Sequence, residues 1–325
     1  MGNIRKLNFL DKNQLKKIAG FANSNSNYFK YNLLKECACS AQDLLPLNFK
    51  IIPESFVSIE NKELKGMISV CPTSGNAEQI NILRLLFEND DYQTGKDLIE
   101  FIVHKYGELG AKTFKVIIDN NLKDLERLFM NGCGFRCCSY ENLWDVTWDL
   151  ERFSAIESYD FVLTNDSHAK IISELANSEL VTHYKPALER PENEFKDPIL
   201  KIFDSTYENR YILTDNGKTM AYLTIKTHDN ENFIMSLTKN SGFSLDYDKI
   251  IAFAVKRIKS NRNSEFKLYL KQKKYLKFAS DYENYMHEHK YECIQTQHVL
   301  VKEFYKPVKQ EFRAFVFGEG KIFSN

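Results

Sequence analysis

One glycine before a predicted helix is the clearest candidate for chemistry in this sequence. Apolar alternation predicts a strand over residues 82–87, and apolar residues at helical spacing predict a helix over residues 96–106. The loop between them ends at Gly95. First-turn amides lack intrahelical partners and lie at the positive end of the helix dipole, so this junction could bind a pyrophosphate. Thr94 and Asp97 also fit a capping box, which would satisfy the same amides without a ligand. Both interpretations stay open.

The cysteines and histidines offer weaker candidates. Cys71 and Cys133 could act as nucleophiles, but neither has a histidine within its local motif, so we interpret both as buried thiols. His104 falls on a predicted helix, where it could equally be a surface residue. The cysteines lack the paired CxxC spacing of a zinc site, so we predict no metal. An odd number in a sizeable chain also favours reduced thiols; the seven are Cys37, Cys39, Cys71, Cys133, Cys137, Cys138 and Cys293.

Composition limits the classes of partner. The chain has 325 residues, of which 43% are hydrophobic, and Lys+Arg and Asp+Glu both number 44. A formal net charge of zero gives no global field that would attract nucleic acid or an anionic membrane, so both partners are disfavoured. No apolar run is long enough to span a bilayer, and the amino terminus has no apolar signal core. Together with the reduced thiols, this predicts a cytoplasmic protein.

The elements around Gly95 recur in the second half of the chain. A predicted hairpin over residues 56–70 matches one over residues 211–225, with Asn61 and Asn216 at the two turns and an offset of 155 residues. Strand candidates follow at residues 81–86 and 232–237. The later elements then recur at an offset of 152: a helix, a strand that begins at Phe114 or Phe266, a second helix and a closing strand.

This repeat predicts an α/β protein of two domains, residues 1–152 and 153–325. Each copy reads strand, helix, a further helical stretch, three strands, helix, strand, helix, strand. The opening strands are predicted near residues 4–9 and 161–163, and a strand over residues 144–149 closes the first copy. Residues 190–196 are predicted to form a loop. The aromatic tail from Pro307 has no counterpart in the first copy and is predicted to form a hairpin that covers an edge or an interface.

The element order of the first copy resembles the GNAT superfamily of acyl-CoA N-acyltransferases. The resemblance is sharpest over residues 64–136, where a strand, a glycine-containing loop, a helix, a strand and a second helix lead to Gly134-Phe135-Arg136. It implies two tandem GNAT-like domains, each a mixed, mostly antiparallel sheet flanked by helices. We interpret the second copy as structural, because Tyr247 stands there at the position of Gly95 and a bulky residue blocks close backbone approach.

The resemblance implies acetyl-CoA, or another acyl-CoA, as the cofactor. Its pyrophosphate would meet the amides of Gln93, Thr94, Gly95 and Lys96. Its pantetheine arm would lie along Leu85, Leu86 and Phe87, where the family's strand separates from its neighbour. The side-chain amide of Asn120 or Asn121, just after the next strand, could also face the cofactor.

Transfer to an amine needs a base for the ammonium proton and often an acid for the leaving thiolate. Glu88, at the end of the strand, is the predicted base, and Glu54 and Glu60 are alternatives. Many family members place a tyrosine acid in the last helix, but this chain has Phe129 and Met130 there. Tyr92 is therefore the predicted acid, with Tyr140 as an alternative. Direct attack by the amine, with water as proton relay, would require no dedicated residue.

Three functions remain open. The first is acyl-CoA-dependent acetyl transfer to a small-molecule or peptide amine. The second is a non-catalytic tandem module whose groove is filled by Phe87 or Tyr92; the single glycine and the acidic loop residues Asp90, Asp91 and Asp97 favour it. The third is transfer from an aminoacyl-RNA, with the Lys-rich residues 267–277 as the footprint, although such a stretch is more often a solvated edge. The oligomeric state is not predicted.

Overall fold

The computed structural model describes residues 3–8, 11, 14–15, 18, 54–72, 78–88, 91–196, 207–227, 229–261 and 265–304. The predicted hairpin in the aromatic tail lies outside these residues. So does most of the helical region that was predicted after the opening strand of the first copy.

The strands of both copies form a single sheet. In the described residues this sheet has twelve strands, in the order β1-β2-β3-β4-β5-β12-β6-β11-β10-β9-β8-β7. Most neighbours run antiparallel, whereas β4 and β5, and likewise β10 and β11, run parallel. The strands are β1 (Asn3–Lys6), β2 (Glu54–Glu60), β3 (Glu63–Pro72), β4 (Gln79–Phe87), β5 (Thr113–Asp119), β6 (Arg136–Asp145), β7 (Val162–Leu163), β8 (Tyr207–Asp215), β9 (Lys218–Thr227), β10 (Asn232–Lys239), β11 (Lys267–Lys273) and β12 (Glu292–Glu303).

Helices cover both faces of the sheet. Within the described residues they are α1 (Tyr92–Glu108), α2 (Lys123–Arg127), α3 (Leu150–Ala155), α4 (Ala169–Ser178), α5 (Lys185–Leu188), α6 (Tyr247–Ser260) and α7 (Ala279–Glu288). A π-helical turn, Leu128–Gly132, continues α2. Alternation along β8 separates the faces, because Tyr211 packs in the cluster that contains α6 and Ile212 packs in the cluster that contains α4.

Both predicted hairpins are confirmed. β2 pairs with β3, and β8 pairs with β9, in antiparallel register. Asn61 and Asn216 lie at the turns with φ of 51° and 49°. Asparagine tolerates this left-handed backbone better than most residues, which explains why an Asn-centred pattern marks both turns.

The last strand of each copy lies within the sheet of the other copy. β12, from the second half of the chain, pairs with β5 and β6, and β6 pairs on its other side with β11. The four strands at the junction of the copies are thus each paired on both sides, and the copies share one continuous sheet; these strands are β5, β12, β6 and β11. Residue 152, the predicted domain limit, falls inside α3, which joins the second copy through the ion pair of Arg152 with Asp248 at 2.7 Å. The limits 1–152 and 153–325 stay a prediction.

Two local predictions were wrong. The helix after Gly95 begins three residues earlier than that glycine, at Tyr92. No separate strand spans residues 144–149, because β6 ends at Asp145 and a 3-10 turn, Thr147–Asp149, follows. The predicted loop over residues 190–196 is present and contains a 3-10 turn, Glu192–Phe195, whose Phe195 is buried against Tyr222. Glu192 and Asn193 are exposed, whereas Arg190 and Glu194 are half-buried.

Candidate functional site

The candidate site begins where β4 and β5 separate. These parallel strands pair from Gln79–Thr113 to Ile82–Val116, and the described residues beyond that point do not pair with each other. A bulge in β4 occurs at the same level, since Ser69 pairs with Arg84 but Val70 pairs with Ile82, which leaves Leu83 as the extra residue. A bulge bends the strand and ends its regular pairing. The separation that was predicted for the cofactor arm thus has a local cause.

The bulge also changes which side chains face α1. Ile80 and Ile82 face the core under α1, and after the extra residue the alternation continues with Leu85 and Phe87 on that face. Leu86 points into a different core, with Val57 and Met67. Of the three residues predicted to line the cofactor arm, Leu85 and Phe87 therefore share a face with α1, and Leu86 does not. Main-chain pairing with the arm would not depend on this side-chain direction.

The start of α1 is capped by Asp91. Its carboxylate accepts hydrogen bonds from the Thr94 amide at 3.1 Å and from the Thr94 hydroxyl at 2.6 Å. The side chain of Asp97 instead accepts from Gln93 Nε2 at 2.6 Å. The predicted capping box of Thr94 with Asp97 is therefore wrong. Asp91 precedes the helix in the N-cap position, where a short carboxylate reaches the third amide, and this explains the earlier start.

Gly95 lies inside α1, and its missing side chain makes room for Phe87. A Cβ at Gly95 would lie 2.8 Å from Phe87 Cε1 and 3.0 Å from Leu128 Cδ2. Gly66 on β3 plays a matching role, because a Cβ there would lie 2.8 Å from Thr94 Cγ2. Two glycines thus allow the first turns of α1 to sit directly on the sheet. The sequence pattern identified Gly95 but missed Gly66, whose signal is a glycine inside a strand.

The remaining predicted cofactor contacts surround the same opening. Lys96 forms an exposed i,i+4 ion pair with Glu100 at 3.6 Å. Asn120 and Asn121 follow the carboxyl end of β5, and the Asn121 amide donates to Asp119 Oδ1 at 2.8 Å. Because β4 and β5 are parallel, their carboxyl ends share one edge of the sheet. The fold therefore places Asn120 and Asn121 at the same edge as Leu85, Phe87 and the start of α1.

The predicted base lies just after β4, and the predicted acid lies at the start of α1. Glu88 forms an ion pair with Lys65 at 3.2 Å, and its side chain is 46% exposed. Tyr92 is the first residue of α1, and its ring centroid lies 5.5 Å from that of Phe87 in an edge contact. Phe129, at the family's tyrosine position, is fully buried against Phe135. The catalytic roles of Glu88 and Tyr92 stay predictions.

A further polar pair near this site was not predicted. His298 Nδ1 on β12 lies 2.5 Å from Glu126 Oε1 on α2, and the Tyr140 ring meets the imidazole edge-on at 4.8 Å. Burial alone would raise the pKa of Glu126, but His298 and Lys123 together hold it below its ordinary value. The pair joins residues 172 positions apart. No local pattern could reveal it, because it depends on the strand exchange.

The corresponding gap in the second copy is filled. β10 and β11 pair as far as Ser236 and Lys271, and Tyr247 at the start of α6 packs beyond them against Tyr282 with ring centroids 4.9 Å apart. The ammonium of Lys239 lies 5.3 Å from the Tyr247 ring centre. The first turn of α6 also carries an acidic residue, Asp248, whereas the first turn of α1 carries none. Because Asp248 is ion-paired with Arg152, the filled gap and not this charge is the main difference between the two helix starts.

The cysteine candidates have environments unsuited to a thiolate. Burial raises the pKa of both Cys71 and Cys133 to about 11. A thiol with such a pKa is almost fully protonated at neutral pH and is a poor nucleophile. His104 is exposed and faces Glu108 at 3.2 Å. Among the described residues, no group of three potential metal ligands occurs.

Comparison with known proteins bears on the fold. No protein-family model matches the sequence, and no curated protein matches it. A tandem GNAT protein from the clavulanic acid biosynthesis pathway matches with a TM-score of 0.62 at 8% identity, over 93% of this chain and 98% of that chain. A GCN5-related N-acetyltransferase from Sphaerobacter thermophilus matches with a TM-score of 0.54 at 11% identity, over 93% of this chain and 95% of that chain.

These matches define the class of fold, which is that of the GNAT acetyltransferases. More particularly, the chain has a tandem GNAT fold, since the match to the tandem protein runs through both copies. Within the described ranges, no helix combines the length and the apolar character that a bilayer span requires.

Proposed function

We propose that the chain is an acyl-CoA-dependent N-acyltransferase whose acyl-CoA site lies in the first copy. The observation that carries the proposal is the separation of β4 and β5 beyond Ile82 and Val116, next to the start of a helix without acidic residues in its first turn. A helix start of this kind favours phosphate groups through its amides and its dipole, and a bound pyrophosphate would displace the Asp91 carboxylate that caps the Thr94 amide. The second copy, with Tyr247 and Asp248 at the equivalent place, would be structural.

The residues around the opening fit the predicted cofactor. First-turn amides near Gln93 and Thr94 would hold the pyrophosphate, and the unpaired edge of β4 at Leu85 and Phe87 would pair with the pantetheine arm. Acetyl-CoA, when bound, supplies an acyl group already activated as a thioester. Glu88 would accept the proton of the acceptor ammonium, and Tyr92 would donate one to the departing thiolate.

The acceptor is proposed to be an amine of a small molecule or a peptide. Its nitrogen would form a bond to the acyl carbon while the carbon–sulfur bond breaks, so that an amide and free CoA result. No dedicated base is essential, because water can relay the ammonium proton. A cytoplasmic location remains the expectation from the sequence.

Calorimetric titration with CoA and with acetyl-CoA tests the proposal. We expect binding to the wild-type chain and at least tenfold weaker binding to Gln93→Glu, because the new carboxylate would repel the pyrophosphate. The variant Asn216→Asp is the matched control, since it makes the same charge change at an exposed hairpin turn of the second copy. Absence of heat and of thermal stabilisation at saturating CoA would exclude the proposal, and so would equal losses in both variants.

A second candidate, a non-catalytic tandem module, is favoured by one contact. The Phe87 ring lies against Gly95 of α1, on the side of β4 that an arm between β4 and β5 would approach. Phe87→Ala separates the two candidates. If Phe87 closes the groove, the variant will bind CoA better than the wild type does; if Phe87 lines an open groove, the variant will bind CoA more weakly.

A further inference from the structure

The face of the sheet away from α1 and α6 carries an unusual set of charges. Residues 181–196 cross this face: the Val181 amide donates to the Tyr275 carbonyl oxygen at 3.0 Å, and Gln79 Nε2 of the first copy donates to the Glu189 carbonyl oxygen at 3.0 Å. Arg190 lies in this crossing segment. Strands from both copies thus share one covered region, which we call the central cleft and define by Lys115, Glu141, Arg190, Lys271 and Lys273.

The carboxylates of the central cleft already have partners. Glu141, only 3% exposed, lies 2.5 Å from Lys271 Nζ and accepts the Tyr275 hydroxyl at 2.6 Å. Glu194 is paired with Arg190, whose guanidinium also lies over the Phe195 ring at 4.4 Å. Each carboxylate thus has a close cationic partner, and the remaining lysines of the cleft lie farther from it.

Two lysines of the cleft have no such partner. Among the described residues, no hydrogen bond or ion pair is formed by the ammonium groups of Lys115 and Lys273. They belong to different copies, since Lys115 lies on β5 opposite Val301 and Lys273 lies on β11 opposite Glu141. Both side chains are half-buried. An unpaired ammonium in such a place is costly unless an anion joins it.

Lys115 and Lys273 both have pKa values that depend on the other charged groups of the central cleft. Burial lowers the pKa of Lys273 to about 7; Glu141 opposes this effect, and Arg190, Lys271 and Lys226 add to it. Burial likewise lowers the pKa of Lys115, which is close enough to respond to Glu194, Arg190, Glu141 and Lys271. Lysines from the two copies therefore share Arg190 and Glu141 as electrostatic neighbours. Positive charge converges on one place in an otherwise neutral chain.

We infer that the central cleft binds a small molecule with at least two oxyanionic groups, carboxylates or phosphates, which bridges Lys115 of the first copy and Lys273 of the second. The inference goes beyond the proposed acyl transfer and does not require it, because these lysines lie on the face opposite α1. It also gives a different interpretation of the Lys-rich residues 267–277. Two of those lysines, Lys271 and Lys273, face the cleft and not an open surface that RNA could reach.

Calorimetry with citrate and with inorganic pyrophosphate tests the inference and separates the two anion chemistries. We expect the wild-type chain to bind at least one of them, and Lys115→Met and Lys273→Met each to bind it at least tenfold more weakly. Methionine keeps most of the volume of the lysine stem and removes the charge. Lys267→Met is the matched control, because Lys267 lies on the same strand but is exposed. Gln93→Glu should leave unchanged the binding that is lost in Lys115→Met and Lys273→Met, whereas pyrophosphate bound at the proposed acyl-CoA site would be lost in Gln93→Glu alone.

Proton uptake gives a second readout. A bound anion should raise the pKa of Lys273, so that binding at pH 8 takes up protons; titrations in buffers of different ionisation enthalpy measure this uptake. The uptake should disappear in Lys273→Met and persist in Lys267→Met. If neither anion binds the wild-type chain, the inference is overturned. It is equally overturned if the control loses as much affinity as the cleft variants do, or if proton uptake persists without Lys273.

Discussion

The space at Gly95 can be tested by adding one methyl group. In Gly95→Ala the new Cβ would lie 2.8 and 2.9 Å from two Phe87 ring atoms and 3.0 Å from Leu128 Cδ2. Overpacking of this kind costs about 1–3 kcal/mol. Alanine is better than glycine in a helix interior by about 1 kcal/mol. The two effects oppose each other, and we expect the variant to lose up to about 2 kcal/mol of unfolding free energy.

Gly107 provides the control within the same helix. A Cβ at Gly107 meets no atom within 4 Å, so Gly107→Ala should gain roughly 0.5–1 kcal/mol. In a Phe87→Ala background two of the three close contacts at Gly95 disappear. Gly95→Ala should then cost little or become stabilising, so the double-mutant cycle should show a coupling of about 1–2 kcal/mol between positions 87 and 95.

Urea unfolding monitored by circular dichroism measures all four variants, the two glycine substitutions, Phe87→Ala and the double variant, at one temperature. If Gly95→Ala stabilises the protein as much as Gly107→Ala does, the Phe87 ring does not lie on α1. The reasoning about this contact would then be refuted. That result would also remove the observation that favours a closed, non-catalytic groove.

Two further predictions concern the cleft and the second copy. Burial alone would raise the pKa of Glu141, but Lys271, Lys273 and Tyr275 outweigh this effect and lower the pKa to about 2. The ionised carboxylate therefore stabilises the fold fully above its ordinary pKa, and this stabilisation is lost as the pH falls from about 4.5 towards 2. Glu141→Gln should therefore be less stable than the wild type by about 3 kcal/mol at pH 7, with a gap that narrows on acidification; a gap independent of pH would contradict this account. In the second copy, the buried hydroxyls of Tyr247 and Tyr282 have no hydrogen-bond partner within the part of the chain that the structure describes. Removing either one as Tyr→Phe should leave stability unchanged or raise it by about 1 kcal/mol in urea unfolding, and a loss above 1 kcal/mol would indicate an undetected partner.

Local patterns predicted much of the fold. The Asn-centred hairpins, the strand over residues 113–119 and the apolar stripe of the helix that became α1 each depend on a few neighbouring residues. Their recurrence at nearly constant offset indicated the doubled fold, which the structural comparisons confirm. Local patterns were less successful at element ends. The start of α1 depended on whether Asp91 or Thr94 supplied the cap, and both side chains can do so.

The sequence by itself therefore determined the kinds of elements, their order and the candidate opening near Gly95, because propensity, turn chemistry and hydrophobic period act over a few residues. Only the tertiary structure decided that β6 and β12 exchange between the copies, and with that exchange the pairing of Glu126 with His298. It also decided that Lys115 and Lys273, from different copies, lie near the same charged side chains, Glu141 and Arg190. Contacts across more than a hundred residues depend on which strand edges meet, and the order of elements along the chain does not specify those edges.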